Sequence, residues 1–310
     1  MSPRRPAEGG ERPPLTDRVA AKAAERAALR AERAAERAAL RAERREHRAP
    51  LLGRRSHSIR IIEGRESTLS FDVGGTGIKY TVLDKSGEPI AGLRRVPTPY
   101  PCPPERLVDT LLDLADELPP FERVSVGLPG MIRHGVVIST PHFVCDGGPF
   151  TPRNPELVKA WARWDAGAAL NSAFGCPVRV INDAELAGFA VIEGSGFEVL
   201  LAFGTGLGAA LYDDGKLVPK LELSQAPFRD GETYDQQLGD HARLALGNVR
   251  WSRRVAMALD RWYPVLGWDR LYLGGGNAEH LTGDLGYRAT RVGNEAGVRG
   301  GHKLWSYRTL

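Results

Sequence analysis

Cysteine is scarce in this sequence. Cys102, Cys145 and Cys176 stand apart, with no C-x-x-C pair. That spacing argues against a disulfide framework and against a zinc site built on cysteine pairs, and it suits a reducing cytoplasm. Long apolar runs are also missing. No stretch approaches the roughly 18 apolar residues of a membrane-crossing helix, so no transmembrane helix and no membrane partner are expected. The first residues are basic but lack an apolar segment, so a secretory signal is not expected either. The hydrophobic share of 42% over 310 residues is ordinary, enough for one large or two medium domains with a real core.

Acidic residues are short at one end. Residues 1–60 hold sixteen Arg and Lys against eight Asp and Glu, whereas the whole chain is only +4. The basic balance therefore belongs to a tail, and the remainder is acidic. Residues 1–16 are rich in Pro, Gly and Arg, a composition that favours disorder. Residues 17–48 are Ala/Arg/Glu-rich. Ala24–Arg30 returns as Ala35–Arg41, a period of 11 that keeps one face aligned on a helix. Leu29 and Leu40 alone are too few for a coiled-coil seam. The plain reading of this tail, residues 1–60, is a solvated charged helix. The alternative is contact with a polyanion such as nucleic acid or polyphosphate, or with an acidic membrane surface.

Against these shortages stands a surplus of ordered glycine. The strand-like run Thr68-Leu69-Ser70-Phe71 enters Asp72-Val73-Gly74-Gly75-Thr76-Gly77, and Tyr80–Leu83 forms the returning strand. Glycines let backbone N–H groups approach oxygen anions with no Cβ in the way. Thr76 adds a hydroxyl, and Asp72 at the strand end could hold a hydrated Mg²⁺ ion. A second unit of the same design lies about 130 residues on: Val199–Phe203, then Gly204-Thr205-Gly206-Leu207-Gly208, then Ala209–Tyr212. Two strand–glycine–strand units suggest a duplicated lobe, each presenting a phosphate loop to a shared cleft.

Between and beyond these hairpins, strands alternate with helices. Residues 104–118 read as an amphipathic helix with Leu107, Leu111, Leu112 and Leu114 inward. Residues 124–127 read as a strand, 155–173 as a helix, 178–181 as a strand, 184–192 as a helix, 233–263 as helical and 270–273 as a strand ending in Gly274-Gly275-Gly276-Asn277. Such alternation predicts α/β lobes with mixed sheets, and ligands at the carboxyl ends of strands. Asp72, Gly130, Asp183, Gly204 and Gly274 all stand at such ends.

The ordered motifs resemble the actin/hexokinase/Hsp70-like ATPase superfamily, and within it the ROK sugar kinases, above all their polyphosphate-glucokinase branch. They run from Asp72–Lys79 through Gly127-Leu128-Pro129-Gly130, His134-Gly135-Val136-Val137, Ile181-Asn182-Asp183-Ala184, Gly204–Gly208 and Leu217-Val218-Pro219 with Glu222, to Gly274-Gly275-Gly276 and Asn294-Glu295-Ala296-Gly297. The resemblance spans about Thr68 to Trp305. It implies a two-lobed ribonuclease H-like fold with a cleft between the lobes. The expected division is residues 61–180 and 181–310, the last helix packing back on the first lobe. It also implies a homodimer, and Mg²⁺ with ATP or polyphosphate as the phosphoryl donor. No helix-turn-helix pattern of the family's repressors is visible.

By the same resemblance Asp183 is the base that takes a proton from a sugar hydroxyl; the alternative for it is a helix N-cap. Gly74, Gly75, Thr76 and Lys79 belong to the first phosphate loop, although Lys79 could equally be a solvated strand residue. Gly204, Thr205, Gly206 and Gly208 belong to the second. Gly275, Gly276 and Asn277 would border the adenosine or the distal phosphates, or simply form a turn. The expected sugar contacts are Asn182, Asp183, Glu222, Gln225 and His142. Here the chain departs from the family. The usual Glu-x-Gly-His is Glu222-Leu223-Ser224-Gln225, an expected Asn is His142, and Cys145–Phe150 is inserted beside it. Missing polar partners in such a pocket can cost orders of magnitude in discrimination, which places glucose itself in doubt. The reading is thus a cytoplasmic sugar kinase. Its rival is a non-catalytic sugar-binding or regulatory protein on the same fold.

Overall fold

The computed structural model describes residues 67–306, so the expectations for the 1–60 tail lie outside the described residues. Strand β1 (Thr68–Val73) returns in β2 (Gly77–Leu83) and runs on to β3 (Arg94–Pro97). Helix α1 (Pro104–Ala115) leads to β4 (Arg123–Leu128), to a small hairpin of β5 (Met131–Arg133) and β6 (Val136–Ser139), to α2 (Pro155–Trp161) and α3 (Ala166–Phe174), and to β7 (Val178–Asn182). Helix α4 (Asp183–Val191) is followed by β8 (Phe197–Phe203), β9 (Leu207–Asp213), β10 (Lys216–Leu217) and the hairpin β11 (Pro227–Arg229) and β12 (Glu232–Thr233). Helices α5 (Tyr234–Leu238), α6 (Asp240–Leu246) and α7 (Asn248–Leu266), strands β13 (Arg270–Gly274) and β14 (Thr290–Arg291), and α8 (Ala296–Lys303) complete the order.

The two large sheets repeat one plan. The first has the order β3-β2-β1-β4-β7, the second β10-β9-β8-β13-β14. In each, an antiparallel hairpin is extended on its inner side by two parallel strands. Strands covered on both faces read as continuous apolar runs, and β8 does from Val199 to Phe203. Leu69, Phe71, Val124 and Val126 pack with Leu107, Leu111, Trp161 and Leu170 in one core. Val199, Leu201, Phe203 and Leu271 pack with Trp251, Val255, Leu259 and Trp262 in another. A third cluster, including Leu186, Phe189, Leu200 and Tyr212, sets α4 against the second sheet.

Several helices differ from the sequence expectation. Residues 155–173 form two helices. Arg163 takes a left-handed φ of 54°, and the Asp165 side chain accepts from the Ala168 N–H at 2.8 Å, starting a new helix. The carboxylate competes with the continuing ladder for backbone donors. The helical stretch near 233–263 breaks at Gly239 and Gly247 into α5, α6 and α7. Helix α1 ends at Ala115 rather than 118, with Leu107 and Leu111 fully buried and Leu112 and Leu114 only partly so.

Helix α8 lies against both α4 and the first sheet. Ser70 Oγ donates to the Val298 carbonyl at 2.7 Å, and Ser125 Oγ to the Gly301 carbonyl at 2.7 Å. The approach is close enough that a Cβ on Gly300 would overlap the Leu186 carbonyl, and one on Gly297 would overlap the Asp72 carboxylate.

Candidate active site

Each hairpin turn is closed by backbone and braced by side chains. In the first, Gly74 N–H donates to the Gly77 carbonyl at 2.9 Å. The Thr98 hydroxyl donates to the Gly74 carbonyl at 2.7 Å, and the Tyr100 hydroxyl to the Gly75 carbonyl at 2.8 Å. In the second, Gly204 N–H donates to the Gly206 carbonyl at 2.9 Å, and the Asp235 carboxylate accepts from the Leu207 N–H at 2.7 Å. Asn277 ties the third glycine turn to this loop: its Nδ2 donates to the Gly204 carbonyl at 2.9 Å and its N–H to the Phe203 carbonyl at 2.9 Å. Gly275 has a φ of 82° and abuts the Phe203 backbone, so a side chain has no room there.

Both turns open onto one cavity of about 810 Å³ at the carboxyl ends of the two sheets. Every site residue expected from the sequence lines it: Asp72, Gly74, Gly75, Thr76 and Lys79; His142, Asn182 and Asp183; Gly204, Thr205, Gly206 and Gly208; Glu222 and Gln225; Gly275, Gly276 and Asn277. Lys79 is not a solvated strand residue. It faces Asp72 directly across β1–β2, and its Nζ lies 3.0 Å from Asp72 Oδ2 and donates to Asn294 Oδ1 at 2.7 Å.

Helix α4 begins with a capping box, and the cap is Asn182 rather than Asp183. Asn182 Oδ1 accepts from Ala184 and Glu185 N–H, while the Glu185 carboxylate accepts from Asn182 N–H at 3.1 Å. This leaves Asp183 in the first turn with its side chain toward the cavity. Its Oδ1 accepts from Asn182 Nδ2 and from its neighbour Ala184 N–H, each at 2.8 Å. Burial pushes the Asp183 carboxyl up to about 7. The negative charges of Asp72 and Glu222 add to the rise, and Lys220 and the Ala184 N–H oppose it.

The remaining walls differ in kind. His142 packs against Gly75, and burial lowers its imidazole to about 4, so it is uncharged at neutral pH. Glu222 Oε1 is buried without a hydrogen bond among the described residues and stands 3.4 Å from Lys220 Nζ. Gln225 is exposed at the rim, with Nε2 3.5 Å from the Ser224 hydroxyl.

Sequence reasoning missed several members of this wall. Lys220, Asp235, Asp240 and Arg243 all line the cavity. Arg243 grips the Asp240 carboxylate at 2.8 Å, and Asp240 N–H caps the Gly204 and Thr205 carbonyls. Asn294, by contrast, carried a signal as part of the closing motif. A lysine or aspartate on a short helix gives no pattern by which burial beside a distant loop could be read.

A duplicated mixed-sheet fold with two glycine hairpins facing one cavity is the architecture of the actin-like ATPases. A model of the ROK family matches residues 68–219. The inorganic polyphosphate/ATP-glucomannokinase of Arthrobacter sp. strain KM is 30% identical; 77% of this chain and 98% of that one superpose with a TM-score of 0.66. The polyphosphate glucokinase of Mycobacterium tuberculosis is 27% identical over 220 residues, covering 67% of this chain and 76% of that protein. A ROK glucokinase from Streptomyces griseus, solved with glucose and AMPPNP, shares the fold at 17% identity and a TM-score of 0.61, over 78% of this chain and 99% of that one. The chain belongs to the ROK family.

Proposed function

We propose that this protein is a sugar kinase that moves a phosphoryl group from ATP, inorganic polyphosphate or both to a hydroxyl of a hexose. The observation that carries the reading is the state of Asp183. One oxygen is held by two donors, the other is left for a ligand, and the group titrates near neutrality in the cavity that both glycine hairpins enter. A base with those properties suits a hydroxyl proton at physiological pH.

In this mechanism Asp183 Oδ2 accepts the proton of the acceptor hydroxyl as that oxygen forms a bond to the terminal phosphorus. The bond from phosphorus to the bridging oxygen breaks, releasing ADP or a polyphosphate shorter by one unit. Backbone N–H groups of the Gly74–Gly77 and Gly204–Gly208 turns bind the phosphates, with Thr76 and Thr205 as hydroxyl donors. Asn182 orients Asp183. Glu222 accepts from acceptor hydroxyls, and Gln225 and His142 form a sugar-contact set of their own. That set makes glucose the acceptor most in question.

Asp72 fits a Mg²⁺ ion that enters with the donor. Its carboxylate lines the cavity and is mostly buried, and Mg²⁺ is commonly held by one or two carboxylates, phosphate oxygens and water. No group of three or more His, Cys, Asp or Glu side chains suited to a metal occurs among the described residues, so the fit is to an ion shared with phosphate. The ion would neutralise charge on the transferring phosphoryl group.

A coupled phosphorylation assay over glucose, mannose and N-acetylmannosamine, run with ATP and with polyphosphate, tests the reading. At least one pair is expected to be turned over. Asp183→Asn is expected to lower that rate by about 10²–10⁴, with folding intact by circular dichroism. A variant retaining a near wild-type rate would remove Asp183 as the base.

A further inference from the structure

Lys220 follows β10 on an irregular segment and is 6% exposed. A buried ammonium is costly unless its charge and its three donors are all matched. Here they are. Its Nζ donates to Asn182 Oδ1 at 3.0 Å and to the Ala209 carbonyl at 2.7 Å, and stands 3.4 Å from Glu222 Oε1. Asn182 ends β7 of the first sheet and Ala209 lies in β9 of the second, so one side chain joins the two sheets beside the base.

The bond to Asn182 has a further effect. With Oδ1 committed to Lys220 and to the helix N–H groups, the amide cannot be turned over. Its Nδ2 must face Asp183 Oδ1 at 2.8 Å and the Gly130 carbonyl at 2.9 Å. A continuous chain therefore runs from Lys220 through Asn182 to Asp183. A second arm runs to Glu222, whose buried Oε1 has no hydrogen-bond partner among the described residues. These two arms stay on the acceptor side; the third bond, to the Ala209 carbonyl, ends in β9 one residue past the second glycine turn. The glycine turns themselves are held by Thr98, Tyr100, Asp235 and Asn277.

We propose that Lys220 is a positioning residue of the acceptor pocket: its ammonium fixes Glu222 and, through Asn182, Asp183 in the arrangement that receives the acceptor hydroxyls. This rests on the kinase reading above. Loss of the ammonium removes one of the three donors on Asn182 Oδ1, loosening the amide that faces Asp183, and leaves the Glu222 carboxylate without its counter-charge, while the side-chain braces of the glycine turns keep their bonds.

The test separates acceptor from donor. Lys220→Met keeps the length and apolar volume of the side chain. Its KM for the best acceptor among glucose, mannose and N-acetylmannosamine is expected to rise about tenfold or more, with the KM for ATP or polyphosphate within about twofold of wild type. A general loss of structure would not split the two constants. Lys220→Gln, which keeps an amide donor without the charge, serves where Lys220→Met does not fold. An unchanged acceptor KM, a donor KM rising in step with it, or failure of both variants to fold overturns the assignment and leaves Lys220 a tie between sheets. A wild type inactive on all three acceptors with both donors overturns the kinase reading instead, and this role with it.

Discussion

Asp183 and His142 share a cavity and are pushed by burial in opposite chemical senses, because burial favours the neutral form of each. The carboxyl rises to about 7 and the imidazole falls to about 4. If Asp183 is the base it must be ionised, so kcat/KM is expected to climb with pH up to about 7 and level off above it. His142, neutral throughout that window, contributes nothing to the limb. A stability effect of opposite sign accompanies it. The folded carboxyl holds its proton more tightly than the unfolded one, whose value is near 3.8. Stability from this group is therefore complete below about pH 4 and lost as pH rises to about 7. Asp183→Asn removes that loss. By calorimetry its Tm is expected to exceed the wild-type value at pH 8 and to approach it at pH 4. A variant less stable than wild type at pH 8 would contradict the buried, strained carboxyl.

At the scale of elements, each phosphate loop is an ordinary hairpin turn made specific by what braces it. Asp235 reaches from α5 to the Leu207 N–H, and the Gly206 backbone packs onto the same carboxylate. Asp235→Ala leaves that N–H unmatched and the turn unsupported. The donor KM is expected to rise about tenfold with acceptor KM little changed, the reverse of the Lys220 split. Equal effects on both constants would mean that Asp235 supports the whole cavity. The two hairpins were legible in the sequence because their signal is local: apolar strands interrupted by Gly-rich turns need no knowledge of the rest of the chain. The break between α2 and α3 was not, because it depends on Asp165 preferring the Ala168 N–H to a continued helix. Lys220 and Asp235 were not legible either. Their partners lie on other elements, Ala209 and Asn182 for Lys220 and the second turn for Asp235, so no local pattern announces them. His142 was placed only by counting from a motif, yet it lies against Gly75 in the cavity wall. The sequence offered Asp183 as a helix cap, whereas Asn182 caps the helix; both residue types cap well, so type alone does not separate them.

For the molecule as a whole, charge and chemistry are divided along the chain. The basic surplus lies in residues 1–60, and the cavity residues begin at Asp72. A chain beginning at Ile61 is expected to keep full activity with ATP. With polyphosphate, any advantage of the intact chain is expected at low ionic strength and to fade at high salt, since screening shortens the reach of surface charge. Both are read from steady-state rates at two salt concentrations. Loss of ATP-dependent activity or of solubility would show that the tail belongs to the folded enzyme.

The seat of α8 bears on synthesis. Ser70 and Val298 are joined across 228 residues, and Ser125 and Gly301 across 176. One face of the first sheet, Asp72 included, has to wait for α8 to emerge from the ribosome. Contacts of such separation close slowly, so the nascent chain carries an uncovered sheet from the completion of β7 until α8 is made. A product cut short before residue 296 would never bury that face, and would be exposed to chaperones and proteases rather than accumulate as a half-built catalyst.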